Sequence, residues 1–272
     1  MHTLSLTLVE RRIRVHCADR LSHALVETAY GGIGGAGDAV DLQYSLTYRD
    51  RPPTFVLATR APAPIVAQTD GELLAVFEDQ LALDLQRQRP DLYFLHAAVL
   101  ACGGKAFMLL APSGGGKSTT AWALVREGCQ YLSDELGPVD LTTLRVHPYP
   151  RALCLKTAPP ASYPLPAQTL ATTLTLHVPT AALPAPPGTR PLPLVALFFL
   201  DYRPTLAPRL HPLGAAEASA RLFAQALNPL AHPAHGLDGA IAIVRNTACF
   251  RLVSGDLFAT CMQVRRALAR VA

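Results

Sequence analysis

The chain has 272 residues, with 24 Lys+Arg against 20 Asp+Glu and a net charge of +4. Half of the residues are hydrophobic and 16% are charged, so the composition allows a large buried core and excludes a chain that is disordered throughout. The net charge is small and no block of lysine or arginine occurs, which excludes nucleic acid as an expected partner.

Residues 1–90 predict a β-rich N-terminal segment with one helix. Polar and apolar residues alternate in short stretches between turns, which predicts a small antiparallel sheet with strands at 3–9, 13–16, 42–48 and 54–58. Apolar residues at helical period predict a helix at about 71–87. The first residues lack the basic region and long apolar core of a signal peptide.

A glycine-rich stretch at 32–37 also fits the dinucleotide-binding pattern GxGxxG. That pattern binds a pyrophosphate only where a strand precedes it and a helix opens after it. Here an alternating strand pattern follows instead, so we interpret 32–37 as a turn.

Residues 91–272 predict a second domain, and the chain as a whole is predicted to be of the α/β class. Between 94 and 144 the pattern is strand, turn, strand, loop, helix and strand. The stretch 148–212 holds 15 of the 24 prolines and is expected to be largely extended or looped. The remaining predicted elements are strands at 170–178, 195–201 and 249–253, and helices at 215–227, about 235–245 and after Gly255.

Several features predict a cytoplasmic protein. The longest apolar run, 194–200, is far shorter than the roughly 20 residues that cross a bilayer, so no membrane association is expected. The six cysteines form no CxxC pair and show no ligand-like spacing with histidine. Such cysteines are expected to be thiols in a reducing compartment.

The most informative motif is Ala-Pro-Ser-Gly-Gly-Gly-Lys-Ser at 111–118, which fits the P-loop pattern with Ala111 in place of the first glycine. An apolar strand at 106–110 leads into it, and a helical pattern at 118–127 leads out, ended by Gly128. In that frame the loop turns successive N–H groups toward a phosphate at a helix N-terminus.

The motif predicts a nucleotide site for ATP and Mg²⁺. Lys117, one of only three lysines in the chain, is expected to reach the β- and γ-phosphates, and Ser118 to bind Mg²⁺. The predicted nucleotide-binding residues are Ser113, Gly114, Gly115, Gly116, Lys117, Ser118 and Thr119.

Two acids follow the next predicted strand, 129–133. If that strand lies parallel beside the P-loop strand, Asp134 and Glu135 come to the carboxyl end of the sheet, where ligands bind in α/β proteins. One carboxylate can then accept the proton of an attacking hydroxyl, and the other can bind Mg²⁺. A rival is Asp201, which closes the apolar strand 195–201 as the metal-binding acid of many P-loop proteins does. Spacing alone does not separate the two.

Other candidates are a histidine and two cations. His96 opens a strand pattern that Gly103 and Gly104 are expected to turn back, antiparallel, into the P-loop strand. Arg151 and Lys156 follow the acids and are possible phosphate or substrate contacts. Lys105 is expected to be only a turn residue.

The three segments 95–100, 111–118 and 132–135 together resemble the catalytic domain of HPr kinase/phosphorylase. They are most similar to the HPr-kinase-related kinases, the "kinase A" type and the relatives that tailor lasso peptides. The resemblance implies the phosphoenolpyruvate-carboxykinase type of P-loop fold. It also implies that Asp134 is the general base, that Glu135 is the second, metal-binding acid, and that His96 lies near the transferring phosphate.

Two departures from that family concern the substrate. HPr kinases have two aspartates where this chain has Asp134 and Glu135, and their later glycine-rich signature is replaced by proline-rich sequence at 157–193. The resemblance therefore implies a kinase of the same type without implying HPr as acceptor.

The expected function is an ATP- and Mg²⁺-dependent kinase of a hydroxyl, serine first, on a peptide or protein; a homo-oligomer is possible. Alternatives are a nucleotide-binding regulator or pseudokinase, and a kinase of a small metabolite.

Overall fold

The computed structural model describes residues 2–34 and 39–271, which fold into two compact units of mixed α/β structure. Unit 1 contains the chain up to Gln88 together with Pro150–Pro160 and Pro164–Leu183. Unit 2 contains Arg89–Tyr149, Ala161–Tyr163 and the chain from Pro184 onward. The predicted α/β class is confirmed.

The described residues of unit 1 form two sheets and two α-helices, with a short 3₁₀ helix at Thr180–Ala182. Its elements are β1 (His2–Leu8), β2 (Arg11–Cys17), α1 (Arg20–Tyr30), β3 (Leu42–Asp50), β4 (Pro53–Ala58), β5 (Ile65–Ala67), α2 (Asp70–Gln88), β12 (Leu153–Leu155), β13 (Leu170–Ala171) and β14 (Leu176–Val178).

The first sheet of unit 1 has the strand order β1-β2-β3-β4-β5. The expectation of an all-antiparallel sheet is wrong at one position, because β2 and β3 are parallel. The helix α1, which was not predicted from the sequence, forms the crossover that a parallel pair requires. Asp19 caps this helix by accepting a hydrogen bond from the Ser22 N–H. The predicted helix at 71–87 is confirmed as α2.

The segments Pro150–Pro160 and Pro164–Leu183 lie within the range predicted for the second domain but group with unit 1. Their strands form a small antiparallel sheet, β12-β14-β13, in place of one continuous strand at 170–178. Two contacts attach them to the end of α1: the Ala152 N–H donates to the Ala29 carbonyl, and the Thr180 hydroxyl donates to the Gly31 carbonyl. These contacts are long-range in sequence, which is why local patterns did not predict the grouping.

The GxGxxG stretch begins just after α1. Gly32 has φ +80°, and Gly34 forms an isolated bridge to Leu6. The remainder, 35–37, lies outside the described residues, so the interpretation of 32–37 as a turn stays a prediction.

Unit 2 contains one large sheet with helices packed on it. Its elements are β6 (Leu92–His96), β7 (Ala98–Cys102), β8 (Lys105–Leu110), α3 (Lys117–Arg126), β9 (Gln130–Ser133), β10 (Leu136–Asp140), β11 (Arg145–Val146), β15 (Leu192–Tyr202), β16 (Arg209–Pro212), α4 (Ala215–Phe223), α5 (Leu237–Arg245), β17 (Ala248–Ser254) and α6 (Leu257–Leu268).

The sheet of unit 2 has the order β6-β10-β11-β15-β8-β7-β9, with β17 parallel to β15 and β16 antiparallel to β17. One face carries a core of apolar side chains from β6, β7, β8 and β15 that includes α4 and α5. On β8, β15 and β17, Phe107, Phe198 and Phe250 form a run of ring contacts. These buried strands fix the position of the loops that follow them.

Two cysteines of unit 2 correct the expectation that all six are thiols. Cys102 follows Ala101 on β7, and Cys129 precedes Gln130 on β9; Ala101 and Gln130 are paired across the two strands. The two cysteines are therefore opposite each other, with Cα atoms 5.1 Å apart, and they form a disulfide. Within the described ranges, no helix has both the length and the apolar character needed to cross a membrane.

Candidate functional site

The candidate site lies in unit 2, at two short interruptions that separate β6 from β7 and β9 from β10. β6 ends at His96 and β7 begins at Ala98, while β9 ends at Ser133 and β10 begins at Leu136. β6 pairs with β10, and β7 pairs with β9, so the two breaks face each other. The Ala97 N–H donates to the Glu135 carbonyl at 3.2 Å and holds the two breaks together. In a regular strand, successive side chains point to opposite faces of the sheet. Residues at an interruption of the strand are not held to this pattern, so their side chains can point together into a site.

The glycine-rich loop begins beside these breaks. β8 is antiparallel to β7, and Leu109 of β8 is paired with Ala98 of β7. The carboxyl end of β8 therefore lies at the same edge of the sheet as the start of β7, one residue beyond the break. The turn that reverses the chain uses Gly103 and Gly104, both with positive φ, as the sequence predicted.

β9, the strand that precedes Asp134 and Glu135, reaches this edge of the sheet through a different pairing from the predicted one. β9 was expected directly beside the strand that precedes the glycine-rich loop, but β7 lies between β9 and β8. The two sides of β8 are taken by its hairpin partner β7 and by β15, so β9 has no free side of β8 to join. Because two antiparallel pairings separate them, β9 and β8 still run in the same direction, and their carboxyl ends share one edge.

The backbone of the glycine-rich loop needs glycine at successive positions. Gly114 and Gly116 have φ of +81° and +84°, in the left-handed region that favours glycine. A Cβ atom at Gly115 would lie 2.6 Å from the Ala111 Cβ atom and 3.0 Å from the Pro112 carbonyl oxygen, to which the Gly115 N–H donates. The loop thus leads into the N-terminus of α3, where Gly116 is the cap and offers no side chain. This arrangement fits a phosphate group.

The residues that open α3 supply the polar groups of the loop. Lys117 is buried, and its ammonium donates to the Ala111 carbonyl at 2.9 Å, across the base of the loop. Ser118 and Thr119, in the first turn of α3, are partly exposed. The helix is anchored behind them by Trp122, which is buried and donates its indole N–H to the Tyr163 carbonyl.

The two acids at the strand break have contrasting environments. The Asp134 side chain is completely buried, whereas the Glu135 side chain is 41% exposed. Glu135 Oε1 lies 3.0 Å from His96 Nε2. The structure therefore brings His96 and Glu135 into direct contact and places Asp134 beside them in the chain.

The rival acid, Asp201, lies on the neighbouring parallel strand β15 near the same sheet edge. Its carboxylate accepts a hydrogen bond from the Arg203 guanidinium at 2.9 Å and another from the Arg251 guanidinium. The hydrogen bond from Arg251, aided by the positive charge of both arginines, lowers the pKa of this carboxyl below its usual value. Asp201 is thus an ion-pair acid with two protein partners.

The two candidate cations lie in unit 1, whereas the glycine-rich loop belongs to unit 2. Arg151 is buried and forms an ion pair with Glu78 of α2. Lys156 is exposed, next to the end of β12. Their predicted contacts with phosphate or substrate stay predictions. Lys105 lies at the start of β8, paired with Cys102 across the hairpin, as expected for a turn lysine.

One segment at the site was not predicted from the sequence. Residues 225–228 run along the outer side of β6: the His96 N–H donates to the Gln225 carbonyl at 2.8 Å, and Leu95 is bridged to Ala226. Asn228 then accepts from the Phe94 N–H and donates to the Leu92 carbonyl. The sequence was expected to be helical up to 227, and nothing local shows that the helix stops at Phe223 so that the chain can bind this strand.

No protein-family profile and no curated protein sequence matches the chain. Among solved structures, 59 chains match. One is the HPr(Ser) kinase/phosphatase from Coxiella burnetii, with a TM-score of 0.35 and 11% sequence identity, over 65% of this chain and 97% of that one.

The steric limit at Gly115 makes a testable prediction. We expect Gly115→Ala to weaken ATP binding about tenfold or more, because the added methyl group displaces the loop from Ala111 and Pro112. Isothermal titration with ATP and Mg²⁺ measures the effect. Gly214→Ala is the matched control, since a Cβ atom there has no neighbour within 4 Å. Equal ATP affinity in both variants would contradict a phosphate site at this loop.

Proposed function

We propose that the chain is an ATP- and Mg²⁺-dependent phosphotransferase that transfers the γ-phosphoryl group to a hydroxyl, a serine of a peptide or protein being the acceptor we favour. One observation carries the proposal: the glycine-rich loop and the paired strand breaks with His96, Asp134 and Glu135 share one edge of the unit 2 sheet. An anion-binding loop next to two acids and a histidine is suited to phosphoryl transfer.

The loop would bind the nucleotide. Backbone N–H groups of Gly114, Gly115 and Gly116 and the N-terminus of α3 would hold the phosphates, and the Lys117 ammonium would turn from the Ala111 carbonyl toward the β- and γ-phosphates. Lys117 already lies within the loop, so the change is local. Its charge would stabilise negative charge that moves onto the leaving oxygen.

The acids would divide the remaining work. The acceptor oxygen forms a bond to the γ-phosphorus, the bond from that phosphorus to the β,γ-bridging oxygen breaks, and ADP leaves with the electron pair. Asp134 would accept the hydroxyl proton, because it follows β9 directly at the break that shares the sheet edge with the glycine-rich loop. His96, in contact with Glu135, would orient that acid and lie near the transferring group.

Ser118 and Glu135 are the residues that would hold Mg²⁺, which neutralises phosphate charge when bound. The donor set fits, because both residues offer oxygen atoms and both side chains are partly exposed. The preference for a peptide or protein acceptor rests on the resemblance of the three sequence segments to HPr-kinase-related kinases.

The test is transfer of labelled phosphate from [γ-³²P]ATP with Mg²⁺. Serine-containing peptide libraries serve as acceptor, alanine-substituted libraries as control, and ADP release without acceptor reports transfer to water. We expect ATP binding and serine-dependent labelling. ATP binding without label in any peptide and without ADP release would overturn the kinase in favour of a nucleotide-binding regulator. Labelling of small hydroxylated metabolites alone would contradict the peptide acceptor.

A further inference from the structure

Leu227, Leu230 and Leu237 of unit 2 form an exposed leucine surface on the segment that follows α4. Leu230 is 82% exposed, and Leu227 and Leu237 are 42% and 43% exposed. Between Arg221 and Asp238 the sequence contains no lysine, arginine, aspartate or glutamate. Several large apolar side chains exposed within one uncharged segment are typical of a binding surface rather than of an ordinary solvated turn.

The backbone of the segment folds back so that the second and third of these leucines come from adjacent positions. A Cβ atom at Gly236 would lie 2.8 Å from the Pro229 Cα atom, so the residues that precede these two leucines lie next to each other. The turn between them contains two consecutive non-glycine residues in the left-handed region, Ala234 and His235, with φ of +50° and +51°. Strained backbone of this kind is found most often at functional sites, where the surrounding structure holds it in place.

The same segment is bound along the outer side of β6 and begins beside the candidate site. The Leu227 N–H donates to the carbonyl of Phe94, two residues before His96, at 2.9 Å. His232 Nε2 lies 3.1 Å from the carbonyl oxygen of Leu92, four residues before His96. The segment therefore runs antiparallel to β6 and carries the leucine surface away from the paired breaks, while remaining fixed to the strand that ends there.

The position of the leucine surface matches the path of an acceptor peptide. In the proposed transfer the acceptor hydroxyl would lie near His96, because the two acids share the paired breaks with it. A strand rises about 3.3 Å per residue, so the contacts along β6 place Leu227 and Leu230 about 7 to 13 Å from the level of His96. An extended peptide has the same rise. Side chains about two to four residues from the acceptor residue therefore reach the leucine surface.

We propose that the leucine surface binds the acceptor peptide and selects a large aliphatic or aromatic side chain about two to four residues from the phosphorylated serine; this rests on the proposed kinase activity. The uncharged sequence of the segment fits an apolar side chain rather than an acidic or basic one. Three leucines offer far less than the roughly 800 Å² that each partner buries in a stable interface, which fits a short peptide segment rather than a second copy of the chain.

The first experiment measures kcat/KM for transfer from [γ-³²P]ATP to serine peptides with an alanine background, in which a single leucine is moved from position to position. We expect leucine two to four residues from the serine, on one side of it, to raise kcat/KM about tenfold over the all-alanine peptide. Equal values at every position would overturn the leucine surface and leave the kinase activity standing. Labelling of no peptide would contradict the proposed function itself, and the binding measurement below then decides on the surface.

The second experiment measures binding of a fluorescent leucine-containing peptide by anisotropy, which requires no catalysis. We expect Leu230→Ser to weaken peptide binding about tenfold and to remove the preference for leucine, while the Kd for ATP and the rate with the all-alanine peptide are retained. Leu83→Ser is the matched control, since Leu83 is 48% exposed on α2 of unit 1. Unchanged peptide binding in Leu230→Ser would overturn the proposal. A wild-type dimer that this variant converts to a monomer, measured by light scattering, would also overturn it in favour of an interface between copies.

Discussion

Asp134→Asn is expected to slow transfer of the γ-phosphoryl group by about 10²–10⁴-fold while ATP binding is retained. Asparagine has nearly the shape of aspartate, so the buried position beside the strand break stays filled, but its amide does not accept the hydroxyl proton. The measurement is kcat for [γ-³²P]ATP with a serine peptide, together with the Kd for ATP. A loss confined to kcat is the signature of a group that acts on the reacting hydroxyl.

The matched control is Asp201→Asn, which changes the other acid near the same edge of the sheet. Asp201 has Arg203 and Arg251 as partners, so we expect its replacement to affect stability more than kcat. Loss of transfer in the Asp201 variant with normal transfer in the Asp134 variant would contradict our assignment and identify Asp201 as the catalytic or metal-binding acid. Normal transfer in both would contradict an acid-assisted reaction at this edge.

The local part of the candidate site could be predicted from the sequence. The strand at 106–110, the loop at 111–118 and the helix after it depend on neighbouring residues: a short apolar run, glycines at positions of positive φ, and helix formers ended by a glycine. The structure has them as β8, the loop and α3, with Gly128 at φ +93° after the last turn. The hairpin at Gly103 and Gly104 was predictable for the same reason.

The arrangement of the acids could be predicted only in part. The sequence shows that Asp134 and Glu135 follow a strand, but not that β7 separates this strand from β8. Both the hairpin that joins β7 to β8 and the crossover through α3 to β9 can place a strand beside β8, and the local pattern does not decide between them. It also contains no local signal that the partner strand breaks at His96 opposite them. The contact between His96 and Glu135 results from the register of β6 and β10 on either side of the breaks. These residues are far apart in the sequence, and the local alternation of apolar and polar residues does not predict which strands pair.

Membership of the units was the least predictable feature. The proline-rich stretch has few local preferences beyond extended backbone, so it adopts whatever structure its distant partners allow. Part of it completes unit 1 through hydrogen bonds to Ala29 and Gly31, and through Thr173 and Leu174 packed next to Gly71, where a side chain would not fit.

Lys117→Ala is expected to lower both ATP affinity and phosphoryl transfer, the latter by about 10²–10³-fold, because a buried ammonium within the loop stabilises charge on the phosphates. The low lysine content supplies matched controls. Lys105→Ala and Lys156→Ala remove the same charge from a hairpin turn and from an exposed position in unit 1. Transfer of label from [γ-³²P]ATP and the Kd for ATP are measured for all three.

The expected order separates a local role for Lys117 from a general effect of charge. If net charge alone attracted ATP, the three variants would lose affinity equally and the loss would diminish at high salt. If Lys117 contacts the phosphates, its variant alone loses transfer, and salt does not restore it. Thermal unfolding controls for the lost hydrogen bond to the Ala111 carbonyl, which by itself is worth about 1 to 3 kcal/mol. A folded Lys117 variant with unchanged transfer would remove the loop from the reaction, and a Lys156 variant that alone loses transfer would instead assign the phosphate contact to unit 1.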